Sequence, residues 1–282
     1  MSLPESGCAV TDRDLVIVSG PEALWYVHSQ VSQDIDDMEV GESRWSFVLQ
    51  PQGKLDALFR VVRTGDDELR FDVDGGSGEM LAASVGRFVL RTKVDLEVVA
   101  SRMLTCFGPT QVAAARDRFG DRAVVSPWDR AEAVDVLGPD DVEFPAELLD
   151  PVVFSAVRAA RGLPAMGTDL STDTIPNETG LIDFCVSFTK GCYRGQELVE
   201  RIHARRARRR VLCRLFATGP IRAGDLVATT AGTDVGFVTS AFEHDGGWYG
   251  LGYLTSASAE SGTGLAVGEV SVRCSALFEG DG

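Results

Sequence analysis

Lys190-Gly191-Cys192-Tyr193-Arg194-Gly195-Gln196-Glu197 lies in the densest cluster of unusual residues in the chain, Ile175 to His203. Gly191 and Gly195 bracket Cys192 and Tyr193. Such glycines permit positive φ or a close backbone approach to a ligand. The following Gln-Glu-Leu-Val-Glu-Arg-Ile, from Gln196, reads as a helix. Cys192 therefore sits in a glycine-rich loop just before a helix N-terminus, with Lys190 two residues upstream. That setting suits a thiol used for nucleophilic or redox chemistry. The competing reading is a structural cysteine buried in a tight turn, since free cysteine is among the most buried residue types.

Towards the C-terminus the loop is followed by Arg205-Arg206-Ala207-Arg208-Arg209-Arg210. One reading is a site for an anionic tail or for phosphates. The other is a solvated helix end whose arginines complement the helix dipole. From Val211 the chain changes to short strands with glycine turns, among them 211–216, 235–240, 248–254 and 269–274. Even spacing of this kind predicts a small β-barrel. Two units follow, 1–208 as an α+β region and 209–282 as the barrel.

Towards the N-terminus, Leu15 to Ser19 is a strand-type run, broken by Gly20-Pro21 and followed by helical spacing over 22–31. Met103 to Phe107, Gly108-Pro109 and 111–116 repeat that arrangement, and Val134 to Leu137 again runs into Gly138-Pro139. The recurrence hints at duplication of an α+β module. Between the first two units, 45–50, 55–63 and 69–73 read as three strands joined by tight turns. The polar alternate face of this meander can meet solvent or a cavity. Trp25, Trp45, Phe71, Trp248 and Tyr249 can stack on a ligand or pack the core, and core packing is the default.

The 282 residues are 44% hydrophobic and 24% charged, enough for one large core or several smaller ones. No apolar run reaches the ~18 residues of a membrane helix, and the start shows no export signal, so a cytoplasmic protein is expected. A net charge of −15 disfavours direct nucleic-acid binding. Six scattered cysteines and three distant histidines give no disulfide framework and no metal spacing.

The octapeptide at 190–197 resembles the signature of the YgfZ family of folate-binding proteins. Other stretches match in order: 18–23, 30–35, 49–54, 161–164, 167–170, and in the barrel 223–225 and 235–240. The family shares its fold with the T-protein of the glycine cleavage system, a tetrahydrofolate-dependent aminomethyltransferase. The resemblance implies an α+β, T-protein-like fold, with ferredoxin-like lobes around a central hole and a small C-terminal β-barrel. It implies tetrahydrofolate or a one-carbon derivative as cofactor. It also implies transient association with iron–sulfur enzymes or their assembly proteins, including tRNA-modifying ones. It assigns Glu178, in Pro176-Asn177-Glu178-Thr179-Gly180, to the pterin, where a carboxylate can accept from amino and ring N–H groups. Tyr193, Gln196 and Arg201 join it as folate-binding residues, with Cys192 and Lys190 as the reactive pair and no metal. The T-protein's catalytic aspartate falls on Met80, beside Glu79 and downstream of Asp74. A thioether cannot act as a carboxylate, which argues against aminomethyl transfer. Two alternatives stay open: a true one-carbon transferase and a ligand-free scaffold.

Overall fold

Two long antiparallel strands, β1 (Gly7–Ser19) and β5 (Asp95–Phe107), pair along their whole length. The computed structural model describes residues 3–126, 133–138, 147–205, 208–261 and 264–277. Around that central pair the chain builds one seven-stranded sheet. Its other strands are β2 (Ser43–Leu49), β3 (Leu55–Arg63), β4 (Glu68–Asp74), β6 (Ala123–Val125) and β7 (Ala133–Leu137). The order is β2-β3-β4-β1-β5-β7-β6. The predicted meander is thus one flank of the sheet.

Each long strand ends in glycine-proline and turns into a helix, α1 (Ala23–Gln30) or α3 (Pro109–Phe119). The glycines are required at these corners. Gly20 and Gly108 have φ of +132° and +85°. A Cβ would run into the Lys93 carbonyl at the first and the Ser6 side chain at the second. The third such pair reaches Gly138 at the end of β7, and Pro139 lies outside the described residues.

Alternation in the strands separates two faces. Val16 and Val18 of β1, Phe59 and Val61 of β3, and Phe71 and Val73 of β4 point to one core. That core is covered by α1 and by α2 (Gly78–Gly86), through Tyr26, Val27, Leu81 and Val85. The opposite face of the same strands carries Arg13, Arg60 and Asp72, all buried. Trp25 departs from the expected core packing: it is 68% exposed on α1.

The chain then crosses through α4 (Pro151–Arg161), a short helical turn α5 (Ile182–Cys185) and α6 (Gln196–Arg205). It ends in a closed six-stranded barrel. The barrel strands are β8 (Arg210–Ala217), β9 (Leu226–Thr229), β10 (Asp234–His244), β11 (Gly247–Thr255), β12 (Leu265–Val267) and β13 (Val270–Ala276). Closure leaves no free strand edge. α6 ends at Arg205; Arg206 and Ala207 of the arginine run lie outside the described residues. No helix among the described residues is long and apolar enough to cross a membrane.

Candidate functional site

The buried polar face of the sheet forms one ion network. Arg60 Nη1 donates to Asp135 at 2.8 Å and its Nη2 to Asp72 at 3.1 Å. Arg13 Nε donates to the other Asp72 oxygen at 2.7 Å, and its Nη1 to Asp74. Thr105 Oγ1 completes Asp135 at 2.6 Å. Burial would push the Asp72 carboxyl up, but Arg13 and Arg60 outweigh it and hold its pKa below the ordinary value. These contacts join β1, β3, β4, β5 and β7, so the sheet curls to bring Arg60 of β3 to Asp135 of β7.

Above the network lies a cavity of about 260 Å³. Leu58, Leu163, Leu181, Phe184 and Cys185 form apolar walls, and Gln33, Arg44, Trp45 and Ser126 supply polar atoms. Trp45 also faces a narrow adjoining cleft with Thr11, Arg13, Asp74 and Asp135, and the Arg60 guanidinium carbon lies 5.8 Å from its ring centre. Trp45 Nε1, Ser126 Oγ, Thr11 Oγ1 and Arg60 Nε are buried without a hydrogen-bond partner among the described residues. Burial raises the Cys185 thiol well above its usual pKa, so it faces the cavity as a neutral group.

The octapeptide loop clamps onto the cavity wall from outside. Lys190 Nζ donates to the carbonyls of His28, Val31 and Gln33 at 2.6, 2.9 and 3.0 Å. It therefore caps the C-terminal end of α1, and all three of its N–H groups are used there. The expected ammonium partner for Cys192 is committed to these carbonyls. Burial lowers the Lys190 pKa to about 8, with Asp34 and Asp36 opposing. Arg194 anchors the other side, donating to the Leu49 carbonyl at 2.5 Å and the Ser84 carbonyl at 2.8 Å, and pairing with Asp56 at 3.3 Å. Gly195, at φ +78°, lies so close to β2 that a Cβ would meet the Gln50 carbonyl at 2.5 Å. Between the two anchors Cys192 is exposed, as is Gly191, which excludes the buried-turn reading of this cysteine.

Replacing Lys190 by methionine is expected to cost about 1–3 kcal/mol, because three carbonyls at a part-buried helix end lose their donor. Urea unfolding of the purified variant measures this. A loss below about 0.5 kcal/mol would mean that water replaces the ammonium.

The other residues expected at the site fall into two places. Gln196 Oε1 accepts from the Tyr193 amide at 3.3 Å, and Tyr193 is buried beneath Lys190 with its hydroxyl unpartnered among the described residues. Burial raises the Tyr193 pKa, with Glu200 adding to it. Arg201 stands exposed on α6. Glu178 lies in a buried 3-10 turn, Pro176–Glu178, at the junction with the barrel. Its Oε2 accepts from Arg210 Nε at 2.7 Å, and Arg210 stacks over Tyr253 at 4.7 Å. Asn177 ties this turn to α6 through the Val199 carbonyl at 3.2 Å. Glu178 is not among the residues lining the cavity below Trp45. Met80 packs, partly buried, in the same cluster as Trp45, Tyr193 and Phe184.

Sequence reasoning missed the ion network and the orphaned donors. The signal was present as arginine and aspartate at alternate positions of apolar strands, but pairing across β3, β4 and β7 is a tertiary fact.

No family model matches the chain. A chloroplastic protein of Arabidopsis thaliana, described provisionally as a transferase, is 33% identical over 120 residues. That match spans 42% of this chain but only 27% of the plant protein. The tRNA-modifying protein YgfZ of Vibrio vulnificus (strain YJ016) is 25% identical over 231 residues, 76% of this chain and 71% of that protein. Its counterpart in Aliivibrio fischeri is 24% identical over 263 residues, 84% and 81%. The glycine cleavage system aminomethyltransferase T from Bartonella henselae superposes with a TM-score of 0.80 at 18% identity. That superposition covers 96% of this chain and 85% of the other. The chain is a relative of the YgfZ proteins, built on the fold of the glycine cleavage T-protein.

Proposed function

We propose that the protein binds a reduced folate, tetrahydrofolate or a one-carbon derivative, and supports iron–sulfur enzymes, including tRNA-modifying ones, through the exposed Cys192. The observation that carries this reading is the bonding of the cysteine loop to the cavity wall. Gln33 lines the cavity, its carbonyl accepts from Lys190, and its side-chain amide donates to the Phe184 carbonyl at 2.8 Å. Ser32 Oγ donates to the Cys185 carbonyl at 2.6 Å. These bonds connect the cavity wall directly to the segment that holds Cys192.

The residues present fit a pteridine: apolar walls, and buried donors without acceptors. A pteridine bound here would supply a one-carbon carrier position. The chain's own part is to enclose the ring, exclude water and hold its polar edge. Glu178, Tyr193, Gln196 and Arg201 lie outside this cavity and are proposed as further folate contacts, Glu178 at the barrel junction through its second carboxylate oxygen. Met80 supplies no carboxylate, so aminomethyl transfer is not part of the proposal.

Calorimetric titration with tetrahydrofolate tests the reading. Binding is expected, weakened about tenfold or more by Glu178→Gln, which inverts one hydrogen-bond site. Absence of any heat or competition with wild-type protein would sink the folate reading. Unchanged affinity in the variant would remove Glu178 from the site. Turnover of an aminomethyl donor in a coupled assay would restore the transferase alternative.

A further inference from the structure

Two polar atoms on the cavity wall, Trp45 Nε1 and Ser126 Oγ, are buried and unpaired among the described residues, as is Thr11 Oγ1 in the adjoining cleft. Orphaned groups of this kind are rare in native interiors, and each calls for a partner that the chain does not provide. Trp45 and Ser126 line the same cavity, and Ser126 is fully buried. The indole N–H can only donate, and the serine hydroxyl can donate or accept. Leu58, Leu163, Leu181 and Phe184 around them are apolar and the Cys185 thiol is neutral; of the acceptor side chains on the wall, Gln33 Oε1 already accepts from the Asp34 amide, and Ser43 contributes a hydroxyl.

We infer that Trp45 and Ser126 form a recognition edge for the acceptor side of a planar heteroaromatic ring, and that Trp45 selects an oxo-substituted ring over its amino-substituted analogue. An oxo oxygen accepts from the indole N–H. An amino group at the same position sets N–H against N–H, leaving both buried and unpaired, which is the more costly outcome. The inference rests on the cavity being the heteroaromatic site proposed above and narrows it to two residues outside the octapeptide. Trp45→Phe keeps an aromatic ring and removes the indole N–H together with part of the apolar body.

The test follows the indole N–H resonances of the four tryptophans in nitrogen-15-labelled protein. The Trp45 signal is the one absent from Trp45→Phe. Three probes are titrated: tetrahydrofolate, and the pair quinazolin-4-one and 4-aminoquinazoline, which carry an oxo or an amino group at the same ring position. Quinazolin-4-one is expected to move the Trp45 signal and to bind about tenfold more tightly than its amino counterpart. That preference should vanish in Trp45→Phe, and Ser126→Ala should weaken binding of the oxo probe. An unmoved Trp45 signal with all three probes overturns the inference, whether or not the variant folds, because this readout uses wild-type protein. An oxo preference retained in folded Trp45→Phe overturns it as well. Tetrahydrofolate that binds without moving Trp45 sinks the recognition edge and leaves the folate reading standing. Quinazolin-4-one that moves Trp45 while tetrahydrofolate fails to bind does the reverse.

Discussion

Arg60→Met lowers the unfolding free energy by about 3–5 kcal/mol, the largest stability effect expected from a single substitution in this network. Arg60 and Asp72 are fully buried, and Asp135 is nearly so. Removing the guanidinium leaves Asp135 with only Thr105, and Asp72 with only Arg13, as polar partners in the network. The uncompensated carboxylates, rather than the loss of attraction as such, account for the size of the effect. A second variant separates these terms: Arg60→Met combined with Asp135→Leu should regain part of the loss, because the unpaired charge is removed with its partner. Urea unfolding at constant slope measures both. A loss under about 1 kcal/mol for Arg60→Met would show that water reaches the network, as at a surface pair. Acid should act in the same direction. Asp72 has a folded pKa below its unfolded one, so its contribution is complete above the unfolded carboxylate range. It is lost as pH falls through the depressed folded value.

Cys192 is expected to alkylate far faster than every other cysteine. Cys8, Cys106, Cys185 and Cys213 are buried and Cys274 is half-buried, whereas Cys192 is exposed between two anchored residues. A buried thiol reacts only through opening of the structure, and each 1.4 kcal/mol of opening free energy slows it about tenfold. Cys185 is the demanding control, because burial also raises its pKa well above the usual value. Brief iodoacetamide treatment followed by peptide mass spectrometry ranks the six sites. If Cys192 labels no faster than Cys185, the loop is closed in solution and a reactive-thiol role is wrong. Cys192→Ser should fold and bind tetrahydrofolate like the parent, yet fail to support iron–sulfur enzyme activity in a strain lacking the protein. Full complementation by the serine variant would exclude thiol chemistry.

Local rules determined much of this protein. Strand-type runs at 45–50, 55–63 and 69–73 joined by tight turns specified the meander, with period-two alternation at 45–50 and 69–73; that the middle strand is buried on both faces was not readable locally. Glycine-proline after two apolar runs specified two strand-to-helix corners, which the positive φ of Gly20 and Gly108 requires. Gln196 was legible as a helix start, and regular glycine turns from Val211 as a barrel. The octapeptide marked its own importance. Its physical work was not legible, because Lys190 acts on carbonyls more than 150 positions earlier in the chain and Arg194 on Leu49 and Ser84. Composition alone could not distinguish Trp45 as a core residue from Trp45 as a cavity wall, nor foresee Trp25 in solvent. The first outcome depends on how the sheet curls to bring Arg60 of β3 to Asp135 of β7, and the second on which face of α1 packs on the sheet. Only tertiary structure decides whether a charge on an alternate strand face meets water or another charge, because its partner comes from a distant strand.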